Sequence, residues 1–221
     1  MKVKRMSQSR VMQLFAKLAE AYPEAHCALQ HTTPFELLIA TMLSAQCTDA
    51  RVNLVTATLF QKYRMPEDFA VLSPQTLQED IKQLGLFRSK SENIVATSRM
   101  LLEQFQGQIP QTLEALIQLP GVGRKTANVV LSNAFAIPAL AVDTHVRRVA
   151  NRLGLADSPN PEVVEQQICA RIPSSMWSQA HHWLIFHGRQ VCTARKPACS
   201  ICPVSEFCKF YQTKTSAILT G

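Results

Sequence analysis

Apolar positions recur at helical spacing along most of the chain. Val11, Leu14, Phe15 and Leu18 fall at i, i+3, i+4 and i+7, the stripe of an amphipathic helix. Ala127, Val130, Leu131 and Ala134 repeat that spacing, as do Val146, Val149, Ala150 and Leu153. Start signals stand where such segments begin. Thr33-Pro34 before Phe35-Glu36-Leu37-Leu38 predicts a capped helix with proline in its first turn. Asn160-Pro161 and Ser174-Ser175 predict two more starts, Asp143 is placed to cap the helix through Leu153, and a short helix is predicted over Gln111 to Gln118. No run alternates convincingly with period two, and no repeat of roughly 20–50 residues stands out. The pattern predicts an all-α protein with short loops. Prolines and glycines are scattered rather than gathered into one linker, so the pattern alone marks no domain boundary.

The 221 residues suffice for one large domain or two small ones with real cores, and 47% hydrophobic composition argues against disorder. No apolar run approaches the ~20 residues that span a bilayer. The basic start, Met1 to Arg10, has no apolar core or cleavage pattern behind it, so neither a secretory signal nor membrane attachment is expected. The 23 Lys+Arg against 16 Asp+Glu give a charge of +7, which favours an anionic partner, nucleic acid first. Seven cysteines cannot all pair internally, and a reducing compartment is expected. Cys27, Cys47 and Cys169 are then free thiols in or near the core.

Two segments carry chemistry. Leu119-Pro120-Gly121-Val122-Gly123-Arg124-Lys125 is a glycine turn that delivers a lysine to a helix start. Glycines leave backbone N–H groups bare, and at a helix N-terminus these form an anion site. The pattern is that of a helix-hairpin-helix gripping DNA phosphate without reading sequence; a tight αα-turn with packing glycines is the plainer alternative. Lys125 stands in the first turn, where dipole repulsion and burial would favour the neutral amine that a nucleophile needs. A phosphate-contacting lysine fits the same place. Asp143 is at least an N-cap, and a carboxylate fixed by capping can also stabilise a developing cation. Some of Arg147, Arg148 and Arg152 are expected to reach phosphate or acidic neighbours. The second segment is Cys192, Cys199, Cys202 and Cys208, spaced C-x6-C-x2-C-x5-C. Four thiols in one short loop mean metal. Zinc ribbons use two tight knuckles; only Cys199 and Cys202 form one here, and the wider outer spacing suits an iron–sulfur cube. Arg195 and Lys196 would make that loop a basic finger.

Together these residues resemble the endonuclease III family of DNA glycosylase/AP lyases, within the helix-hairpin-helix glycosylase superfamily. The resemblance runs from about residue 30 to 208. It includes Leu43-Ser44-Ala45-Gln46, Gly85-Leu86-Phe87 with Lys90 and Asn93, Leu119 to Val130, Val142 to Val146, and the four cysteines in order. It implies two helical lobes with the active site in the cleft between them: a six-helix barrel with the hairpin over residues 26–140, and a second lobe joining the N-terminal helix, residues 1–25, to the C-terminal helices and cluster loop, residues 141–221. By the same resemblance Lys125 is the nucleophile and Asp143 its acidic partner. Gln46 and Leu86 fill or wedge the DNA, Gly121, Gly123, Arg124 and His145 belong to the DNA-binding surface, and the cysteines hold a [4Fe–4S] cluster. The implied partner is double-stranded DNA with damaged pyrimidines or abasic sites, met by a monomer in the bacterial cytoplasm at the nucleoid. Cys47 departs from the small residue expected at its position. A monofunctional glycosylase using Asp143 and water, or a non-catalytic DNA-binding module, are the alternatives.

Overall fold

The structure, a computed structural model, describes residues 6–213. The first half of the basic start Met1 to Arg10 and the ends of the spans 1–25 and 141–221 lie outside the described residues. Among the described residues every regular element is helical. In order they are α1 (Gln8–Ala21), α2 (Pro34–Leu43), α3 (Asp49–Lys62), α4 (Pro66–Ala70), α5 (Pro74–Ile81), α6 (Phe87–Phe105), α7 (Leu113–Leu116), α8 (Arg124–Ala134), α9 (Thr144–Leu153), α10 (Pro161–Cys169) and α11 (Trp177–Gln190). None is long and apolar enough to cross a membrane. The helices divide into two compact units, Cys27–Ile137 and a second that joins the chain up to His26 with the chain from Pro138 onward.

In the unit Cys27–Ile137, α2 is the central element. Phe35 through Leu43 are all buried, and α2 packs against α3, α6 and α8. Its start is as the sequence predicts: the Thr33 hydroxyl accepts from Glu36 N at 3.1 Å, and Glu36 Oε2 accepts from Thr32 N at 2.6 Å. Pro34 takes the first helical position, where its missing N–H costs nothing. The long α6 packs against α4 and α5 and backs the glycine turn. The helix predicted over Gln111 to Gln118 is shorter. The Thr112 side chain accepts from Ala115 N and starts the helix at Leu113, while Gln118 N and Leu119 N bond three residues back and tighten its end into turns.

The two hairpin glycines differ physically. Gly121 has φ +75°, and a Cβ there would stand 2.8 Å from Asn93 Cβ on α6. Gly123, the N-cap of α8, has φ −91°, and a Cβ added there would meet nothing within 4 Å. Thr97 of α6 donates to Pro120 O at 2.8 Å and closes the turn onto the helix behind it.

In the other unit the predicted stripes meet. Val11, Leu14, Phe15 and Leu18 of α1 and Val146, Val149, Ala150 and Leu153 of α9 are at most 1% exposed and share one core. α11 packs against α9 and α1, and α10 covers α9. Asn160 caps α10, accepting from Glu162 N at 2.8 Å. Ser174 opens a 3-10 turn, Ser174–Met176, that runs into α11 at Trp177.

Two outcomes follow for stability. Burial, and then the neighbouring His181 and His26, push His182 from 6.5 down to about 3. The unfolded chain therefore binds the extra proton first, and stability falls as pH drops from 6.5 toward 3, by at most ~1.4 kcal/mol per pH unit for one group. Denaturant midpoints measured across that range should fall, and His182→Gln should flatten the slope. Gly121→Ala should cost about 1–3 kcal/mol for forcing a side chain into positive φ against Asn93. Gly123→Ala should cost ~1 kcal/mol or less, the ordinary effect at an N-cap. Equal costs in urea unfolding would show that the turn is not held by Gly121.

Candidate active site and cysteine loop

Lys125 is the second residue of α8 and is exposed. Burial is thus no part of its setting in the free protein; the helix N-terminus is. No side chain caps that terminus, and no hydrogen bond or ion pair among the described residues engages the Lys125 amine. Its charge is felt by Cys27: burial raises the Cys27 thiol, and Lys125 works against that rise. The turn therefore presents an exposed N-cap, Gly123, with no side chain of its own to cap the first-turn amides, and a solvent-facing primary amine.

Gln46 and Leu86 are two of the four non-glycine residues with positive φ among the described residues, at +56° and +59°. Gln46 is exposed, and Leu86 is 53% exposed at the start of α6. Left-handed backbone at such residues costs free energy and keeps side chains in directions a relaxed loop would not hold. The two loops adjoin through Cys47. Lys90, buried on α6, donates to Cys47 Sγ at 3.4 Å, and the Cβ position at Gly85 lies 4.0 Å from the same sulfur. The larger residue at position 47 is thus accommodated as a bridge. Cys27, Cys47 and Cys169 are partly buried and form no disulfide among the described residues.

In the other unit Asp143 caps α9, Oδ1 accepting from Val146 N at 2.8 Å. Among the described residues nothing pairs with Oδ2, so half the carboxylate is committed to the fold and half is not. His145, in the first turn of α9, is oriented by Arg148. Arg148 Nη2 lies 3.1 Å from His145 Nδ1, and a guanidinium can only donate, which leaves Nε2 as the ring's N–H.

The arginines of α9 take partners that no local sequence pattern announces. Arg148 donates to Gly188 O at 2.8 Å and Cys192 O at 3.1 Å. Arg152 donates to Thr193 O at 2.7 Å and Ala194 O at 2.8 Å, and its guanidinium lies 4.9 Å from the Phe210 ring centre. Arg147 donates to Pro159 O at 2.9 Å. These three reach backbone carbonyls rather than acidic neighbours, and Arg148, half-buried with two such contacts and a third to His145 Nδ1, is not a free phosphate ligand. One signal does stand in the sequence: Arg148 and Arg152 are four apart on one face of a helix, and the cysteine loop is rich in carbonyls with no helix to satisfy them.

Those contacts hold a loop whose four cysteines line one pocket together with His187, Leu153 and Phe210. Among the described residues no three Cys, His, Asp or Glu side chains are grouped to hold one metal ion. Four cysteines lining one pocket are the donor set of an iron–sulfur cluster, one thiolate to each iron. Burial, opposed in part by a backbone hydrogen bond and reinforced by the other cysteines, pushes the Cys202 thiol up to about 11. Burial raises the Cys208 thiol as well, and a thiol held up in this way gives its proton up to a bound metal cation. Arg195 and Lys196 stand exposed on this loop, with Thr193 Oγ1 donating to Lys196 O at 2.7 Å beneath them.

Comparison with known proteins agrees with this geometry. Residues 39–174 match the model of the HhH-GPD superfamily of base excision DNA repair proteins, and residues 192–208 match the iron–sulfur binding domain of endonuclease III. The chain is 50% identical over 194 residues to endonuclease III of Bacillus subtilis strain 168, covering 87% of this chain and 89% of that one. It is 44% identical over 205 residues to endonuclease III of Escherichia coli K12, covering 93% and 97%. A solved structure of a trapped endonuclease III–DNA covalent intermediate superposes with TM-score 0.91 at 44% identity, over 95% of this chain and 99% of that chain. The chain belongs to the endonuclease III family of the HhH-GPD superfamily, base excision repair enzymes that act as DNA glycosylases and AP lyases and carry an iron–sulfur cluster.

Proposed function

We propose that the chain removes damaged pyrimidines from double-stranded DNA and cuts the strand 3′ to the resulting abasic site, with Lys125 as nucleophile and Asp143 as its acidic partner. The observation that carries this is Lys125 itself: a primary amine with no protein partner among the described residues, in the first turn of a helix whose N-terminus no side chain caps. The hairpin amides, with Gly121, Gly123 and Arg124, grip phosphate and bring the sugar to that amine. Gln46 and Leu86, exposed on strained loops, fill the duplex once the base is extruded, and His145 adds its Nε2–H to the DNA surface. Damaged bases stack and pair poorly, so their extrusion costs less.

Lys125 attacks C1′ as the bond to the base breaks. The base leaves with the bonding electrons and takes up a proton. The free half of the Asp143 carboxylate stabilises the positive charge on the sugar. Loss of the amine proton and opening of the ring give an imine between lysine and C1′. The imine acidifies the C2′ proton, and its removal expels the 3′ phosphate. That a relative has been trapped as a covalent DNA intermediate supports this route. Cys192, Cys199, Cys202 and Cys208 hold the [4Fe–4S] cluster, which lends rigidity to the loop bearing Arg195 and Lys196. The division into residues 1–25, 26–140 and 141–221, with a six-helix barrel in the middle span, belongs to the same reading and is supported by the two compact units. The enzyme works as a monomer in the bacterial cytoplasm, at the nucleoid.

Lys125→Gln should abolish strand cleavage and borohydride trapping on DNA carrying an oxidised pyrimidine while leaving DNA affinity within a few-fold. Trapping that persists in the variant would overturn the assignment, and intact base release without trapping in the parent would point to a monofunctional glycosylase. Asp143→Asn keeps a good N-cap, so its stability should stay within ~0.5 kcal/mol while single-turnover base release falls about 100-fold or more. A variant that melts early yet turns over normally would reduce Asp143 to a cap.

A further inference from the structure

The cavity formed by the cysteine loop has one buried side-chain contact that neither the loop's folding nor the DNA chemistry requires. His187, in the last turn of α11, is 1% exposed. Its Nε2 lies 3.7 Å from Cys202 Sγ. Its Nδ1 lies 2.9 Å from the hydroxyl of Tyr22, itself 7% exposed at the C-terminal end of α1. The rings meet edge-on at 64°, with centroids 5.9 Å apart. Nothing else among the described residues engages the His187 ring, and no carboxylate faces it.

Chemistry fixes the direction of these bonds once iron is present. A cysteine bound to iron is a thiolate and can only accept, so Nε2 must carry its proton. A buried imidazole with no carboxylate stays neutral, which leaves Nδ1 bare and makes the tyrosine hydroxyl the donor. We infer that Tyr22 and His187 form a relay that directs one N–H···S hydrogen bond onto Cys202 and thereby sets the reduction potential of the cluster. In the metal-free protein the Cys202 thiol can instead donate to Nε2, with the opposite tautomer and the opposite bond to Tyr22, so cluster binding selects the tautomer.

The effect has a sign. Reduction adds negative charge that is shared with the ligating sulfurs. A donor facing sulfur stabilises the more reduced member of whichever one-electron couple is read, so the relay raises the potential. The four ligands are also made unequal. Cys192 Sγ faces the Arg152 guanidinium at 3.4 Å, Cys202 faces a neutral imidazole, and Cys208 Sγ lies 3.3 Å from a backbone carbonyl, that of Arg152. His187 acts through Cys202 and not on DNA, so it is a positioning residue.

This rests on the four cysteines holding the cluster, and the experiment separates the two. Full-length, iron-loaded protein is analysed for iron and sulfide and its midpoint potential is read by spectroelectrochemistry without DNA, for the parent, His187→Phe and Tyr22→Phe. Both variants should shift to more negative potential, His187→Phe further. Resonance Raman iron–thiolate bands of the parent should shift on exchange into deuterium oxide, and that shift should be lost in His187→Phe. Tyr22→Phe keeps both rings and removes one oxygen, so it decides the matter if His187→Phe loads no cluster. Unchanged potential in Tyr22→Phe and, where it loads, His187→Phe, with full iron content, would overturn the relay. A parent protein that takes up no iron would overturn the cluster assignment and this inference with it.

Discussion

A helix cannot satisfy its own first N–H groups, and what this chain does with two such helix starts organises the rest. At α8 the terminus begins on Gly123 and no side chain caps it. At α9 the terminus is closed by Asp143, whose Oδ1 takes Val146 N and leaves Oδ2 without a partner among the described residues. The first arrangement sacrifices a cap that would contribute about 1 kcal/mol and gains a site for an anion. The second keeps the cap and uses it to fix a charge. In both, the chemically useful group is one that local folding leaves unfinished.

Leaving a helix start unfinished is tolerable only if what lies behind it is well held. Val122 and Leu119 are buried, Pro120 O accepts from Thr97, and Asn93 occupies the space that any side chain at Gly121 would need. α6, with the buried Lys90, Ser91, Ile94, Thr97 and Ser98, braces this turn and also backs the loops of Leu86 and Gln46. The positive φ at those two residues is a local cost that such packing can sustain. Rigid backing and strained tips are two aspects of one arrangement.

The stripes at Val11 to Leu18 and Val146 to Leu153 were legible because helical burial repeats with the helix, and the caps at Thr33, Asp143 and Asn160 because one side-chain oxygen decides each. The length of α7 was not legible. Leu113–Leu116 is one turn, and whether flanking residues extend it depends on Thr112 and on the tight turns after it rather than on any period. The hairpin, the cysteines and Lys125 could be read as motifs, but the exposure of Lys125 could not, because a helix start says nothing about what covers it. From the sequence, some of Arg147, Arg148 and Arg152 are expected to reach phosphate or acidic neighbours. The carbonyl partners of Arg148 and Arg152 lie some 40 residues away in sequence, and contacts of that kind escape a local pattern.

The cysteine loop shows why those arginines matter. From Cys192 to Cys208 it contains only two 3-10 turns, so most of its carbonyls have no ladder to join. A segment of that size cannot stabilise itself by burial, and its small apolar contribution is Val204, Phe207 and Cys208 packed into the core. Hydrogen bonds from charged donors are stronger than neutral ones, and Arg148 and Arg152 supply four to carbonyls of this loop and its approach. They place the sulfurs around the cavity before any iron arrives. Cluster binding then orders less chain than it would in a free loop, and the loop in turn presents Arg195 and Lys196 with much of their ordering entropy already spent. Arg148 and Arg152 thus hold the loop that carries the exposed pair Arg195 and Lys196.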